Sequence, residues 1–146
     1  MVEKLENIGA CVFDAYGTLF DVTSAAAQCK DELGDKWEPL SDIWRMKQLN
    51  YTWLRSLMEE YKDFWQVTDD ALDFAMDTLG IEDNALKGKL INLYATLDAY
   101  PEVPAMLETL RSNDVQTAIL SNGNMYMLNS AVESAGLGDL FNAVIS

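Results

Sequence analysis

The sequence predicts an α/β fold, a small parallel β-sheet that is interrupted after its first strand by a large helical insert. Three short apolar runs, each stopping at a polar or glycine-containing turn, are typical of buried strands in a parallel sheet; they cover residues 8–13, 115–120 and 141–145. Only one helix separates the second run from the third, which favours a right-handed parallel crossover. The block between the first and second runs is far longer and helical almost throughout, which indicates an inserted cap.

Each helix is predicted from a capping residue at its start and from apolar periodicity along its length. Ser41, Thr68 and Asp83 are predicted N-caps, because their side-chain oxygens can accept from the free N–H groups of a first turn. Gly136 is a predicted helix stop. The predicted helices cover residues 24–34, 41–58, 68–79, 83–94, 104–111 and 124–135. The predicted division is an α/β core of residues 1–21 and 99–146 with a helical cap of residues 22–98.

The composition limits the classes of function open to this chain. Its 146 residues suit one domain and include 24 acidic side chains, 10 basic ones and no histidine, for a net charge of −14. Such acidity disfavours nucleic acid and anionic membrane surfaces, which both require Lys and Arg. Without histidine the chain has no Ser-His-Asp triad and no histidine-liganded metal site. No apolar stretch reaches the roughly 18–20 residues that span a bilayer, so we expect a cytoplasmic protein that binds neither membranes nor nucleic acid.

Polar residues follow two of the predicted strands, at the sheet edge where α/β proteins bind ligands. Asp14 ends the first run, beside a turn that Gly17 permits, and can serve as a nucleophile, a metal ligand or a cap for the turn. Ser121 and Asn122 follow the second run and precede a helix, where a hydroxyl and free N–H groups can bind an anion. The same two residues can instead cap that helix locally. The shared position of both groups at strand ends favours one common site.

Three stretches resemble the haloacid dehalogenase superfamily, and within it the L-2-haloacid dehalogenases. Residues 13–22 read Phe-Asp-Ala-Tyr-Gly-Thr-Leu-Phe-Asp-Val and are similar to the first motif of that family. Residues 43–55 are similar to the substrate-binding stretch of its cap, and Leu-Ser-Asn-Gly at 120–123 matches the second motif of the superfamily. The resemblance covers the whole chain and implies a Rossmannoid parallel sheet, incomplete here, with an inserted helical cap.

Tyr16 separates the branches of the superfamily. Phosphatases and mutases of this type carry a second aspartate two residues after the nucleophile, and that aspartate protonates an alkoxide leaving group. Tyrosine, with an ordinary pKa of about 10 and a bulky ring, is poorly suited to protonate a leaving group. A departing halide is a stable anion and needs no proton. The resemblance therefore implies cleavage of a carbon–halogen bond and argues against a magnesium ion, so neither a metal nor another cofactor is expected.

The resemblance also implies roles for individual residues. Asp14 is the expected nucleophile, which attacks a 2-halocarboxylate, expels halide and is then freed from the resulting ester by water. Arg45 is expected to receive the departing halide, since a guanidinium remains charged and is weakly hydrated. Thr18, Ser121 and Asn122 resemble the groups that hold the nucleophile and the substrate carboxylate. The expected lining of the apolar pocket is Tyr16, Leu49, Phe64 and Trp65.

The resemblance is incomplete at the C-terminal side of the sequence. The family supplies an active-site lysine and further strands beyond the third run, and no Lys or Arg follows Arg111 here. We therefore expect a chain truncated relative to the family, a poor catalyst by itself, with an open edge along its first strand.

The main prediction is hydrolysis of small 2-haloalkanoic acids to 2-hydroxy acids. The alternatives are a non-catalytic fragment and a phosphatase-like hydrolase, and a homodimer is the expected assembly.

Overall fold

Three parallel strands form the sheet of this protein, a computed structural model of which describes residues 6–146. The strands are β1 (Ala10–Phe13), β2 (Gln116–Leu120) and β3 (Ala143–Ile145), in the order β1-β2-β3. Phe13 at the end of β1 lies opposite Ile119 near the end of β2, so the carboxyl ends of these strands reach the same edge of the sheet. The predicted α/β class and the parallel sheet are therefore confirmed.

Helices account for most of the described chain. They are α1 (Ser24–Ala27), α2 (Lys30–Leu33), α3 (Trp37–Leu57), α4 (Phe64–Thr78), α5 (Asn84–Tyr94), α6 (Val103–Ser112) and α7 (Met125–Ser134), with short 3-10 helices at Gly34–Lys36 and Gly138–Leu140. Within residues 6–146, no helix combines the length and the apolar character needed to cross a membrane.

The first predicted helix, residues 24–34, is broken into two single turns. α1 ends because Cys29, with φ −107° and ψ 23°, leaves the helical conformation, and its N–H donates to the Ala26 carbonyl at 3.0 Å. α2 ends at Gly34, whose φ of +54° lies in the region that favours glycine. The prediction of one continuous helix was wrong because capping signals locate its two ends but carry no information on this internal break.

Two of the predicted N-caps, Ser41 and Thr68, are wrong. α3 begins at Trp37 as a direct continuation of the preceding 3-10 helix, so Ser41 lies inside it and is buried. α4 is capped by Asp63, whose carboxylate accepts N–H bonds from the first turn at 2.9 and 3.4 Å. Thr68 lies one turn further along and donates to the Phe64 carbonyl at 2.6 Å, which satisfies its hydroxyl inside the helix.

The remaining helix boundaries agree with the sequence. Asp83 caps α5 by accepting from the N–H of Leu86 at 2.9 Å. α6 begins at Val103 and carries Pro104 in its first turn, where the missing N–H of proline costs no hydrogen bond. Gly136 follows α7 with a φ of +67°, as a left-handed helix stop requires.

The helical block leaves and rejoins the sheet at one place. The N–H of Asp21 donates to the Asp98 carbonyl at 2.8 Å, and the N–H of Tyr100 donates to the Leu19 carbonyl at 3.0 Å. The outgoing and returning segments therefore run side by side. One continuous apolar core extends from the helices to the sheet, and its largest fully buried side chains include Phe20, Leu40, Leu72, Leu90, Leu107, Ile119 and Leu128.

Candidate active site

The loop after β1 presents Asp14 at the carboxyl edge of the sheet. The chain turns directly behind this residue, where the N–H of Leu19 donates to the Ala15 carbonyl at 2.9 Å. Gly17 makes the turn possible, because the turn requires a φ of +88° there and glycine adopts this conformation more readily than residues with a side chain. The Asp14 side chain is exposed, and the Thr18 hydroxyl donates to its Oδ2 across 3.5 Å.

The loop after β2 brings Ser121 and Asn122 to the same edge. The N-cap of α7 is Asn124, whose Oδ1 accepts from the N–H of Met127 at 2.9 Å. Ser121 therefore does not cap the helix, and its Oγ accepts from the N–H of Gly123 at 3.2 Å. Asn124 therefore caps the helix, whereas Ser121 and Asn122 lie beside the loop that carries Asp14.

A cavity of about 70 Å³ lies between these two loops and the helical block. Its lining residues are Asp14, Tyr16, Arg45, Leu49, Thr52, Trp53, Phe64, Ser121 and Asn122. Two of the predicted site residues are not in this lining. Thr18 contacts Asp14 from outside the cavity, and Trp65 packs edge-on against Tyr126 with ring centroids 5.8 Å apart. The fold thus brings seven of the nine predicted residues to one cavity.

Arg45 connects the helical block to the loop of Asp14. Its Nη2 donates to the main-chain carbonyl of Tyr16 at 2.8 Å, and its Nη1 donates to Gln48 Oε1 at the same distance. Both acceptors are neutral oxygens. Among the carboxylates of residues 6–146, none forms a salt bridge with Arg45. The half-buried guanidinium therefore reaches the cavity with its positive charge unneutralised by a carboxylate partner.

The Tyr16 side chain is a neutral, buried wall of the cavity. It is 3% exposed, and its ring lies nearly parallel to that of Tyr94, with centroids 5.8 Å apart and an interplanar angle of 19°. Burial, assisted by Tyr94 and Asp14, raises the pKa of Tyr16 far above its usual value. Its hydroxyl has no hydrogen-bond partner among the described residues. Tyr16 therefore stays protonated at physiological pH.

Gly123 allows the two loops to approach each other. A Cβ at this position would lie 2.7 Å from Cε2 of Tyr16 and 3.1 Å from Cδ2 of Leu128. Both neighbours are buried in the core, with Tyr16 packed at 5.5 Å from the ring of Phe64, so neither has free space to move into. The ring of Tyr16 in the first motif therefore leaves no room for a side chain at position 123 in the second motif, and only glycine fits there.

We expect Gly123→Ala to destabilise the protein by about 1–3 kcal/mol, the usual cost of overpacking a core. Gly88→Ala is the matched control, because Gly88 lies inside α5 and a Cβ there would meet no atom of residues 6–146 within 4 Å outside its own stretch of helix. Alanine should therefore be neutral or stabilising. Urea unfolding followed by circular dichroism measures both. Equal midpoints for Gly123→Ala and the unsubstituted protein would show that the Tyr16 ring moves at little cost.

Some residues at the site were not predicted from the sequence. Gln48 and Thr52 follow Arg45 by three and seven positions in α3, so helical spacing alone would have indicated their shared face. Tyr94 reaches Gln48 only through the packing of α5, and no local signal points to it. Within residues 6–146, no three His, Cys, Asp or Glu side chains group closely enough to hold a metal ion.

Comparison with known proteins gives relatives along nearly the whole chain. (S)-2-haloacid dehalogenase 4A of Burkholderia cepacia is 47% identical over 143 residues, which is 97% of this chain and 62% of that protein. The (S)-2-haloacid dehalogenase of Xanthobacter autotrophicus is 46% identical over 140 residues, which is 95% of this chain and 54% of that protein. The chain therefore spans less than two thirds of the length of these relatives.

Solved structures agree with this likeness. A crystal structure of a dehalogenase superimposes with a TM-score of 0.95 at 46% identity, over 98% of this chain and 64% of that one. The L-2-haloacid dehalogenase of Xanthobacter autotrophicus with chloropropionic acid covalently bound gives a TM-score of 0.86 at 45% identity, over 95% and 56% of the two chains. A family model described as haloacid dehalogenase-like hydrolase matches residues 8–146. The two motifs, the fold and these matches together show that the chain belongs to the haloacid dehalogenase-like hydrolase family.

Proposed function

We propose that the whole protein hydrolyses (S)-2-haloalkanoic acids to 2-hydroxy acids through an ester on Asp14. The observation that carries the proposal is that Asp14 and Arg45 line one cavity whose other walls include the apolar side chains of Leu49 and Phe64. A carboxylate can act as a nucleophile, and a cation can accept the anion that it displaces. The relatives named (S)-2-haloacid dehalogenases, and the relative with covalently bound chloropropionic acid, support the same chemistry.

In the first step, a carboxylate oxygen of Asp14 attacks C2 of the substrate on the side opposite the halogen. The new C–O bond forms as the carbon–halogen bond breaks, the halide leaves with the bonding electrons, and the configuration at C2 inverts. Arg45 stabilises the departing halide, and the hydroxyl of Thr18 helps to orient the attacking carboxylate. Ser121 and Asn122 hold the substrate carboxylate at the edge of the sheet.

In the second step, water attacks the carboxyl carbon of the Asp14 ester. The acyl C–O bond breaks, so the oxygen that attacked C2 leaves as the hydroxyl of the 2-hydroxy acid. Asp14 regains its second oxygen from water, one water proton goes to the product hydroxyl and the other is released. The departing halide needs no proton, in keeping with a neutral, deeply buried phenol at Tyr16 in place of a carboxylic acid.

Chloride release from (S)-2-chloropropionate by the whole protein tests the proposal. We expect steady release, unaffected by EDTA or added magnesium. The phosphatase-like alternative predicts instead that p-nitrophenyl phosphate is hydrolysed with magnesium and that chelation stops the reaction. Turnover of the phosphate ester without any chloride release would replace the proposed function, and no turnover of either substrate would favour the non-catalytic alternative.

We further propose that the protein assembles as a homodimer through one exposed apolar face at the end of α3. This end face consists of Leu54, Leu57 and Met58, which are 53%, 81% and 67% exposed and lie at helical spacing in and directly after the last turn of α3. Contiguous apolar side chains at this exposure are typical of a surface that another protein covers. A second copy of the chain presents the same face and can cover it by a two-fold contact.

Leu57→Lys is expected to shift the whole protein from dimer to monomer, because a lysine at the centre of the end face would be buried against apolar side chains. Sedimentation velocity measures the shift. Ile8→Lys is the matched control, since Ile8 is 44% exposed and lies before β1, outside the end face. A monomeric unsubstituted protein, or a Leu57→Lys variant that remains dimeric, would contradict this assembly.

A further inference from the structure

Gln48 holds the guanidinium of Arg45 from inside the helical block. It is 0% exposed, and its Oε1 accepts from Arg45 Nη1 at 2.8 Å and from the Tyr94 hydroxyl at 3.1 Å. Its Nε2 donates to Thr68 Oγ1 at 2.7 Å. One buried amide thus joins α3, α4 and α5 directly behind Arg45.

The neighbours of Gln48 decide which end of its amide faces Arg45. The Thr68 hydroxyl gives its proton to the Phe64 carbonyl at 2.6 Å, so it offers Gln48 only a lone pair and must be met by the NH₂ group. Burial raises the pKa of Tyr94 to about 12, so its hydroxyl keeps the proton that it donates to Oε1. The amide oxygen is therefore turned toward Arg45 by partners on two other helices.

Gln48 orients Arg45 without neutralising it. A carboxylate at this position would form a buried salt bridge with the guanidinium and compete with any anion in the cavity. The neutral amide instead leaves the full positive charge available on the side that lines the cavity. Fixing a donor before charge develops is what makes electrostatic stabilisation effective in an active site.

We propose that Gln48 is a positioning residue, which sets the orientation and preserves the charge of Arg45 for the departing halide. The inference rests on the proposed dehalogenation, since it concerns how Arg45 meets the displaced anion. Gln48 itself is absent from the cavity lining and acts through Arg45. Its loss should therefore affect turnover only where Arg45 is present.

A double-mutant cycle in the whole protein tests this dependence, with Gln48→Met, Arg45→Ala and the combined variant. Methionine keeps the length and approximate volume of glutamine but cannot accept the bond from Arg45. We expect Gln48→Met to lower kcat for (S)-2-chloropropionate roughly 10- to 100-fold, the effect of one hydrogen bond to a charged group, with a smaller change in KM. In the Arg45→Ala background the same substitution should change kcat by less than about twofold.

Thr117→Val is the control for a purely structural effect. Thr117 is 2% exposed in β2 and donates to the Leu140 carbonyl at 2.5 Å, so valine removes a buried hydrogen bond without contacting Arg45. It should lower the unfolding midpoint but leave kcat unchanged. An equal loss of kcat from Gln48→Met with and without Arg45 would overturn the positioning role.

Gln48→Glu provides a second test that does not depend on the fold tolerating methionine. The carboxylate retains an acceptor for Arg45 and Tyr94 but neutralises the guanidinium, so kcat should fall and inhibition by added bromide should weaken. Unchanged kcat and bromide inhibition would overturn the inference. If the unsubstituted protein releases no chloride, the proposed function itself fails, whereas chloride release with additive effects in the cycle refutes only the role of Gln48.

Discussion

Asp14→Asn is expected to lower chloride release from (S)-2-chloropropionate by at least about 10³-fold, because an amide oxygen is a far weaker nucleophile than a carboxylate. The fold should not be affected, since the exposed Asp14 side chain accepts one long hydrogen bond from the residues that the structure describes, that of Thr18 at 3.5 Å. Asp77→Asn makes the same chemical change on the exposed surface of α4 and is the matched control. Initial rates and circular dichroism of both variants separate loss of chemistry from loss of structure.

The ester mechanism also predicts which molecule takes up oxygen from water in the unsubstituted protein. In a single turnover in ¹⁸O-labelled water, the label should enter the carboxylate of Asp14 and be absent from the 2-hydroxy acid. Mass spectrometry of the peptide that contains residues 13–22 detects the shift. Label in the product after one turnover would mean that water attacks C2 directly and that Asp14 acts as a base.

Arg45→Ala is expected to lower kcat by about 10²-fold or more, the effect of removing one preorganised group that stabilises charge in the transition state. Arg45→Lys should retain part of the activity, because an ammonium keeps the charge but cannot hold the Tyr16 carbonyl and Gln48 with a planar fork. Arg111→Ala is the control, since Arg111 is exposed on α6 and donates to the Asp139 carbonyl. A rate for Arg45→Ala equal to that of the unsubstituted protein would exclude the residue from the reaction.

The sheet and the two strand-end loops were predictable because their determinants are local. A short apolar run followed by a turn identifies β1 and β2, and the carboxyl ends of parallel strands converge wherever the connections run. Asp14 and Ser121 therefore meet for reasons visible in the sequence. The position of Arg45 was predictable only from the resemblance of residues 43–55, because nothing in a helical arginine indicates which loop it will reach.

The errors at the helix ends have a different origin. Ser41, Thr68 and Asp63 are all chemically able to cap a helix, and the choice among them depends on burial. Ser41 and Thr68 lie in the core, where the helix continues past them, whereas the exposed Asp63 meets the free N–H groups of α4. Helical spacing places Gln48 on the same face of α3 as Arg45, but its role depends on contacts with Thr68 and Tyr94, which the sequence does not indicate.

The bond from Arg45 to Tyr16 has an evolutionary consequence. Arg45 donates to the main-chain carbonyl at position 16, so this contact between the helical block and the loop does not depend on which side chain is present there. Gly17, next along the chain, is constrained instead, since a Cβ would lie 3.3 Å from Arg45 Nη2. The side chain at position 16 is constrained by the core, where its ring packs against Phe64 and Tyr94. The docking of the helical block can therefore persist through a change at position 16, whereas the packing around the ring must be rebuilt with that change.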